Sequence, residues 1–344
     1  MIRQGLAGIW TSLMLAAPAM AEPTYTLLDY ADLDGWAADD HAAALSVFTD
    51  TCGDISRPEW ARLCAFAKDA PPARDFFETF FQPVLIEDGE PMLFTGYYEP
   101  EIAGALAPSD VYQYPIYRVP PDLVEGRSYL SRREIDETDA LKNKSLEIAW
   151  LADPVDLFFL QVQGSGRIRL PDGSVIRVGY GGKNGREYSS VGQALVARGV
   201  YKPHQVSADV IRSYVRQNPE EGQKLLWLNE SYVFFREVNE VPPEKGPLGA
   251  MDRSITPMRS IAVDPSITIL GAPVWIEKAG ADPLNRLMIA QDTGSAIKGA
   301  QRADIFYGTG DAAGRAAGQI KDGGRMVVLM PVEYALAKTA QDAQ

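Results

Sequence analysis

The sequence points to a mainly β protein with helices at its periphery. Between residues 260 and 330, short runs rich in Val, Ile, Leu and Met recur at close intervals, broken by Gly, Pro and Asp turns. Such spacing argues for a small closed barrel rather than a βαβ sheet. In mid-chain, Arg167-Ile168-Arg169-Leu170, the turn Pro171-Asp172-Gly173 and Ser174-Val175-Ile176-Arg177-Val178 read as a hairpin. Residues 33–81, by contrast, place apolar side chains at helical spacing.

Taken in chain order, the first element is an export signal. Arg3 supplies the positive start, residues 6–17 are mostly apolar, and Ala19-Met20-Ala21 has the small-x-small form of a cleavage site. The apolar run is too short and too interrupted for a spanning helix. Residues 1–21 are therefore expected to be removed, and the mature chain to start at Glu22. No cysteine follows the signal, so no lipid anchor is expected, and the product should be exported and soluble. Helical stretches then cover 39–48, 59–66 and 73–81, with Phe76, Phe77, Phe80 and Phe81 read as core.

From Met92 to Pro100 the pattern turns extended, and a Pro-containing linker occupies 106–121. A charged helical stretch follows at 131–137, and residues 154–163 start an element that leads into the hairpin. Residues 207–216 read as an amphipathic helix and 227–237 as strand. The β-rich runs of the last third are 260–264, 267–271, 272–277, 287–290 and 325–330.

The 344 residues carry a formal charge of −13, which becomes −14 without Arg3. That balance argues against nucleic acid or anionic lipid as the main partner, since both require a basic footprint. Cys52 and Cys64 are the only cysteines, and in an oxidising compartment they are expected to pair. Histidine is confined to His41 and His204, which removes Ser-His-Asp, Cys-His and His-zinc schemes in practice. No metal cluster is visible, and no cofactor is implied.

The chemistry concentrates near the C-terminus, in Gln291-Asp292-Thr293-Gly294-Ser295-Ala296-Ile297-Lys298-Gly299 and Arg302-Ala303-Asp304-Ile305-Phe306-Tyr307-Gly308. An aspartate entering an apolar strand is desolvated, which raises its pKa and makes it a proton donor near neutral pH. Asp292 and Asp304 could equally be ordinary turn residues.

Five blocks in series resemble the membrane-bound lytic transglycosylase A (MltA) family. They are Phe94-Thr95-Gly96-Tyr97-Tyr98-Glu99-Pro100; Gln161-Val162-Gln163-Gly164-Ser165-Gly166 with Val178-Gly179-Tyr180; Gly246-Pro247-Leu248-Gly249; Arg253-Ser254; and the stretch from Asp292 to Gly308. The resemblance implies a double-psi β-barrel built from residues 22–105 and 246–344. It also implies an inserted, smaller β-rich domain at 106–245, with a substrate groove between the two.

The implied activity is cleavage of the β-1,4 bond between N-acetylmuramic acid and N-acetylglucosamine in peptidoglycan, leaving a 1,6-anhydro muramyl end. By position, the catalytic aspartate falls on Asp304, and Asp292 is a second aspartate lining the groove, tuning Asp304 by like-charge coupling or stabilising oxocarbenium character. Lys298 would orient the sugar or offset the charge of the aspartates. Thr95, Tyr97, Tyr98, Gln163, Ser165, Tyr180, Arg253 and Ser254 would bind substrate, the tyrosines by stacking and the others by hydrogen bonds. Two departures stand out. The lipid-bearing cysteine is missing, which implies a soluble periplasmic enzyme rather than an outer-membrane lipoprotein, and Ser295 occupies the place of a second glycine. Two other readings share these residues: a hydrolase in which Asp292 activates water, and a wall-binding protein without turnover.

Overall fold

Two β-sheets organise the chain in the computed structural model, which describes residues 22–342 apart from 139, 143 and 281. The expected signal segment, 1–21, lies outside the described residues. Strands β1 (Thr24–Leu27), β2 (Phe81–Glu87) and β3 (Leu93–Glu99) come first. Next are β4 (Glu101–Ala105), β5 (Tyr114–Tyr117), β6 (Glu147–Leu151), β7 (Gly166–Arg169), β8 (Val175–Lys183) and β9 (Val233–Glu237). The last are β10 (Ser260–Val263), β11 (Pro273–Lys278), β12 (Leu284–Thr293), β13 (Arg302–Thr309), β14 (Lys321–Asp322) and β15 (Gly324–Pro331).

A nine-stranded sheet runs β1-β2-β15-β11-β12-β10-β13-β3-β14, and a six-stranded sheet runs β5-β6-β4-β7-β8-β9. The first sheet therefore takes its strands from both ends of the chain, and the second takes everything between. Most pairs in the large sheet are antiparallel, but β10 runs parallel to β12 and β13 parallel to β3. The chain passes from one sheet to the other between Glu99 and Glu101, so β4 belongs to the second sheet although residues 22–105 were assigned to the first lobe.

Helices α1 (His41–Thr51), α2 (Pro58–Ala67) and α3 (Ala73–Phe80) pack beside the large sheet. Asp40 caps α1 by accepting from Ala43 N at 3.0 Å, and α2 opens on Pro58, where a missing N–H costs nothing. Phe48, Trp60, Phe76, Phe77 and Phe81 are fully buried and meet ring to ring at 5.3–6.2 Å. Phe81 belongs to β2 rather than to the helix before it. The Cα atoms of Cys52 and Cys64 stand 5.5 Å apart, within the span of a disulfide.

Around the second sheet lie α4 (Arg132–Glu137), α5 (Pro154–Gln163), α6 (Val191–Ala197), α7 (Ala208–Gln217) and α8 (Pro219–Leu226). A capping box between Ser131 and Glu134 starts α4, and Gly164 at φ 78° ends α5. Helices α9 (Gly310–Ala317) and α10 (Val332–Asp342) complete the first lobe.

Three local expectations need correction. The linker at 106–121 contains β5, an edge strand, where Pro115 is tolerated because one flank needs no ladder. The strand expected at 227–237 starts only at Val233, since α8 runs to Leu226 and turns follow. Residues 267–271 form turns, not strand: Asp264 draws the chain back on itself by accepting from Ser266, Ile267 and Thr268.

Candidate active site

Four residues stand abreast across four neighbouring strands. Thr95 of β3 pairs with Asp304 of β13, Asp304 with Ala262 of β10, and Ala262 with Asp292 of β12. The two aspartate backbones are thus two strand spacings apart, roughly 9–10 Å. Ala262, itself buried, stands between them in the row. Ala303 and Ile305 on either side of Asp304 are fully buried, while Asp304 keeps partial solvent contact. An acid is thereby embedded in an apolar strand with one route open to water.

Asp304 Oδ1 accepts from Thr95 Oγ1 at 2.6 Å. Burial pushes the Asp304 carboxyl up to about 6, although the Thr95 hydrogen bond and the charge of Arg302 pull the other way. Asp292 is more fully held. Its Oδ1 accepts from Ala250 N at 3.0 Å and Thr293 N at 2.9 Å, and its Oδ2 accepts from Tyr97 OH at 2.9 Å. Burial raises it too, to about 6, against those three hydrogen bonds; the charge of Asp304 is the smallest contribution. Desolvation, not like-charge repulsion, sets both carboxyl groups. Tyr97 is pushed well above the ordinary phenol range by burial and by both aspartates, so it remains a neutral donor.

The remaining candidates fall in three groups. Thr95 and Tyr97 touch the carboxylates directly. Tyr98 and Gln163 meet each other across the two lobes: Tyr98 N donates to Gln163 Oε1 at 3.1 Å, and Arg212 Nη2 donates to Tyr98 OH at 3.3 Å. Ser165 is buried beside them in sequence, just past the end of α5.

Among the described residues, the other four make no hydrogen bond or ion pair with Asp292 or Asp304. Tyr180 is exposed on β8, opposite Phe235. Arg253 forms a fork with Asp54 at 2.6 and 2.9 Å, and Ser254 Oγ donates to Gly246 O at 2.7 Å. Lys298 stands 3.6 Å from Asp264 with most of its side chain in solvent. Ser295 is not strained, since the non-glycine residues at positive φ are Ala70, Ser145, Asp252 and Met258.

Two features escaped the sequence reading. Arg302 Nη2 donates to Thr95 Oγ1 at 2.9 Å, and its place two residues before Asp304 on one strand face was the available signal. At the joint between the sheets, buried Glu99 binds Arg167 at 2.9 Å, Arg177 at 2.8 Å and Thr309 Oγ1 at 2.8 Å. Partners that far apart in sequence leave no local trace.

Cavity size does not pick out this row. A cavity of about 1060 Å³ lies among the helices of the second lobe, beside Tyr114, Arg133, Asp153, Arg216 and Trp227. A smaller one, about 570 Å³, lies by Asp54, Arg57, Ala250 and Asp252. Most cations of the larger cavity are paired with its own carboxylates (Arg133 with Glu137, Arg216 with Asp153), whereas the aspartate row holds raised acids with access to water. Chemistry favours the row. Among the described residues, no group of three or more His, Cys, Asp and Glu could hold a metal ion, and no helix is long and apolar enough to cross a membrane.

A two-sheet β protein with a desolvated pair of aspartates on the larger sheet defines a class of acid–base site built for one or two carboxyl groups. Residues 93–236 match the family model described as the MltA specific insert domain, and residues 259–330 match the 3D domain. The chain is 38% identical to the membrane-bound lytic murein transglycosylase A of Escherichia coli over 246 residues, 69% of this chain and 65% of that protein. The protein of the same description in Vibrio cholerae is 35% identical, with 68% of this chain and 64% of that protein covered.

Among solved structures, the membrane-bound lytic murein transglycosylase of Agrobacterium tumefaciens superposes with a TM-score of 0.81 at 33% identity, covering 91% of this chain and 99% of that one. Escherichia coli MltA with bound chitohexaose gives 0.73 at 29%, with 90% and 94% covered. The chain belongs to the MltA family.

Proposed function

We propose that this protein is an exported, periplasmic lytic transglycosylase. It would cut the β-1,4 bond between N-acetylmuramic acid and N-acetylglucosamine in peptidoglycan strands and form a 1,6-anhydro muramyl end. In this reading the nine-stranded sheet is a double-psi β-barrel, the six-stranded sheet an inserted domain, and the glycan lies between them. The carrying observation is Asp304, an acid raised to about 6 on a strand whose neighbouring side chains are buried.

The steps follow from that acid. Ordinary glycosidases need one carboxyl group to protonate the leaving oxygen and another as nucleophile or base. Here the muramyl C6 hydroxyl is the nucleophile, so one carboxyl group serves twice. Protonated Asp304 gives its proton to the glycosidic oxygen as the C1–O bond breaks. The Asp304 carboxylate then takes the C6 hydroxyl proton as C6–O attacks C1, and the acid is restored without net addition of water. Intramolecular attack carries a large proximity advantage. Asp292 supplies negative charge near the developing oxocarbenium ion.

The same geometry weighs against hydrolysis by Asp292. Three of its lone-pair positions already accept from Ala250, Thr293 and Tyr97, which leaves little capacity to take a proton from water. Tyr98 and Gln163, linked across the lobes, and exposed Tyr180 are proposed sugar contacts, with Ser165 beside them. Arg253, Ser254 and Lys298 retain that role only where their present partners release them.

Mass spectrometry of products from purified peptidoglycan tests the reading. Muramyl ends lighter by one water support intramolecular attack. Reducing ends would move the base role to Asp292, and a protein that binds the wall and releases nothing would be a binding module.

A further inference from the structure

A threonine hydroxyl has one proton and two lone pairs, and a guanidinium can only donate. Arg302 Nη2 donates to Thr95 Oγ1 at 2.9 Å, so one lone pair of that oxygen is committed. The single proton of Thr95 is then left for Asp304 Oδ1, 2.6 Å away, the only acceptor recorded for it among the described residues. Arg302 is itself fixed, because Nη1 donates to Leu93 O at 3.2 Å and Ala303 O at 2.7 Å. The parallel pairing of β13 with β3 sets Arg302 against Leu93 and Asp304 against Thr95, so the guanidinium is anchored to the same two strands that carry the acid.

We propose that Arg302 is a positioning residue which, by orienting the Thr95 hydroxyl, makes Asp304 Oδ1 a permanent acceptor and Oδ2 the oxygen that carries and transfers the proton. This rests on the transglycosylase reading above. Without Arg302 the hydroxyl can rotate, and the acid proton is shared between two oxygens of which one faces Thr95. Proton transfer to the glycosidic oxygen then competes with a dead-end hydrogen bond to Thr95. Beside burial, the groups that shift Asp304 are Thr95 from β3 and Arg302 from its own strand, and Asp304 in turn raises Tyr97, Tyr307 and Asp292, which face it. Of these, only Arg302 is cationic.

The test compares Arg302→Met, Arg302→Lys, Thr95→Val and the double variant Arg302→Met/Thr95→Val with the parent. Initial rates on peptidoglycan are measured across pH. Carbon-13 NMR follows the aspartate carboxyls, with Asp304→Asn assigning the resonance. Arg302→Met is expected to lower kcat at least about tenfold with little change in KM, in line with the cost of misplacing a reacting group. The Asp304 midpoint should move upward, because a cation that favours the carboxylate has gone.

Arg302→Lys should hold the midpoint closer to the parent value without restoring the rate, since an ammonium cannot reproduce the fork. In the Thr95→Val background, removing Arg302 should change kcat less than about twofold, because the route through Thr95 no longer exists. Effects that multiply independently in that cycle, or full rescue by lysine, would overturn the proposal. If the parent itself forms no anhydro ends, the transglycosylase reading fails, and the NMR still decides: an unmoved Asp304 midpoint in Arg302→Met overturns the role given to Arg302.

Discussion

Replacing Asp304 by asparagine should make the protein more stable and abolish its activity. The Asp304 carboxyl stands at about 6 against an ordinary 3.8, so the folded protein binds this proton more tightly than the unfolded chain does. A group raised in this way contributes stability that is complete below the unfolded pKa and is lost as pH climbs through the folded one. At 1.36 kcal/mol per pH unit, the gap from 3.8 to about 6 makes the ionised acid a liability of at most about 3 kcal/mol at pH 8.

Asparagine carries no charge to desolvate, and its carbonyl can still accept from Thr95. Its amide, however, needs a partner of its own, which lowers the expected gain to about 2 kcal/mol at pH 8. At pH 4, where Asp304 is protonated in the folded state, the difference should shrink to a fraction of that. Urea titrations of both proteins at the two pH values measure it through the midpoint at constant slope. An asparagine variant that is no more stable than the parent at pH 8 would refute the claim that desolvation sets this acid.

Three further outcomes follow. With both aspartates near 6, one needed as an acid and one as an anion, kcat/KM should peak near pH 6 and fall on the alkaline side; the two limbs belong to the pair, and activity held flat to pH 8 would count against it. Glu99→Ala strands Arg167 and Arg177 without their buried partner, and should cost about 3 kcal/mol by thermal melting, while Glu99→Gln should cost less. If Cys52 and Cys64 pair in the mature protein, reduction should cost about 3 kcal/mol by denaturant titration, the loop-entropy value for 12 residues, and a Cys52→Ser/Cys64→Ser variant should show the same loss without reductant.

Local chemistry was readable wherever the signal was local. The charged helix at 131–137, the hairpin around Pro171-Asp172-Gly173 and the apolar flanks of Asp304 are all short-range patterns, and each appears in the structure. Residues 267–271 misled because Ile267, Ile269 and Leu270 carry strand propensity while Asp264 bends them into turns. Arg253 offered a sugar ligand by type, yet lies against Asp54, 199 positions away. The Glu99 cluster went unread for the same reason, and although Arg302 shares a strand face with Asp304, its Thr95 partner comes from another strand. What the sequence lacks in each case is the register that sets one strand beside another.

The row of four residues also dictates when this molecule can act. Thr95 and Asp304 meet across 209 positions of chain, and Tyr97 reaches Asp292 across 195. The second sheet is contiguous in sequence and can close as soon as Glu237 is available, whereas β3 must wait for β13, with the long loop between them adding entropy to that closure. A chain emerging from its N-terminus therefore completes the second sheet first and remains without Asp304 until its final strands are in place. A polypeptide truncated before Arg302 would carry the second lobe, Thr95 and Asp292, but not Asp304. In the transglycosylase reading proposed above, a chain still lacking its last strands would hold glycan contacts before it could transfer a proton.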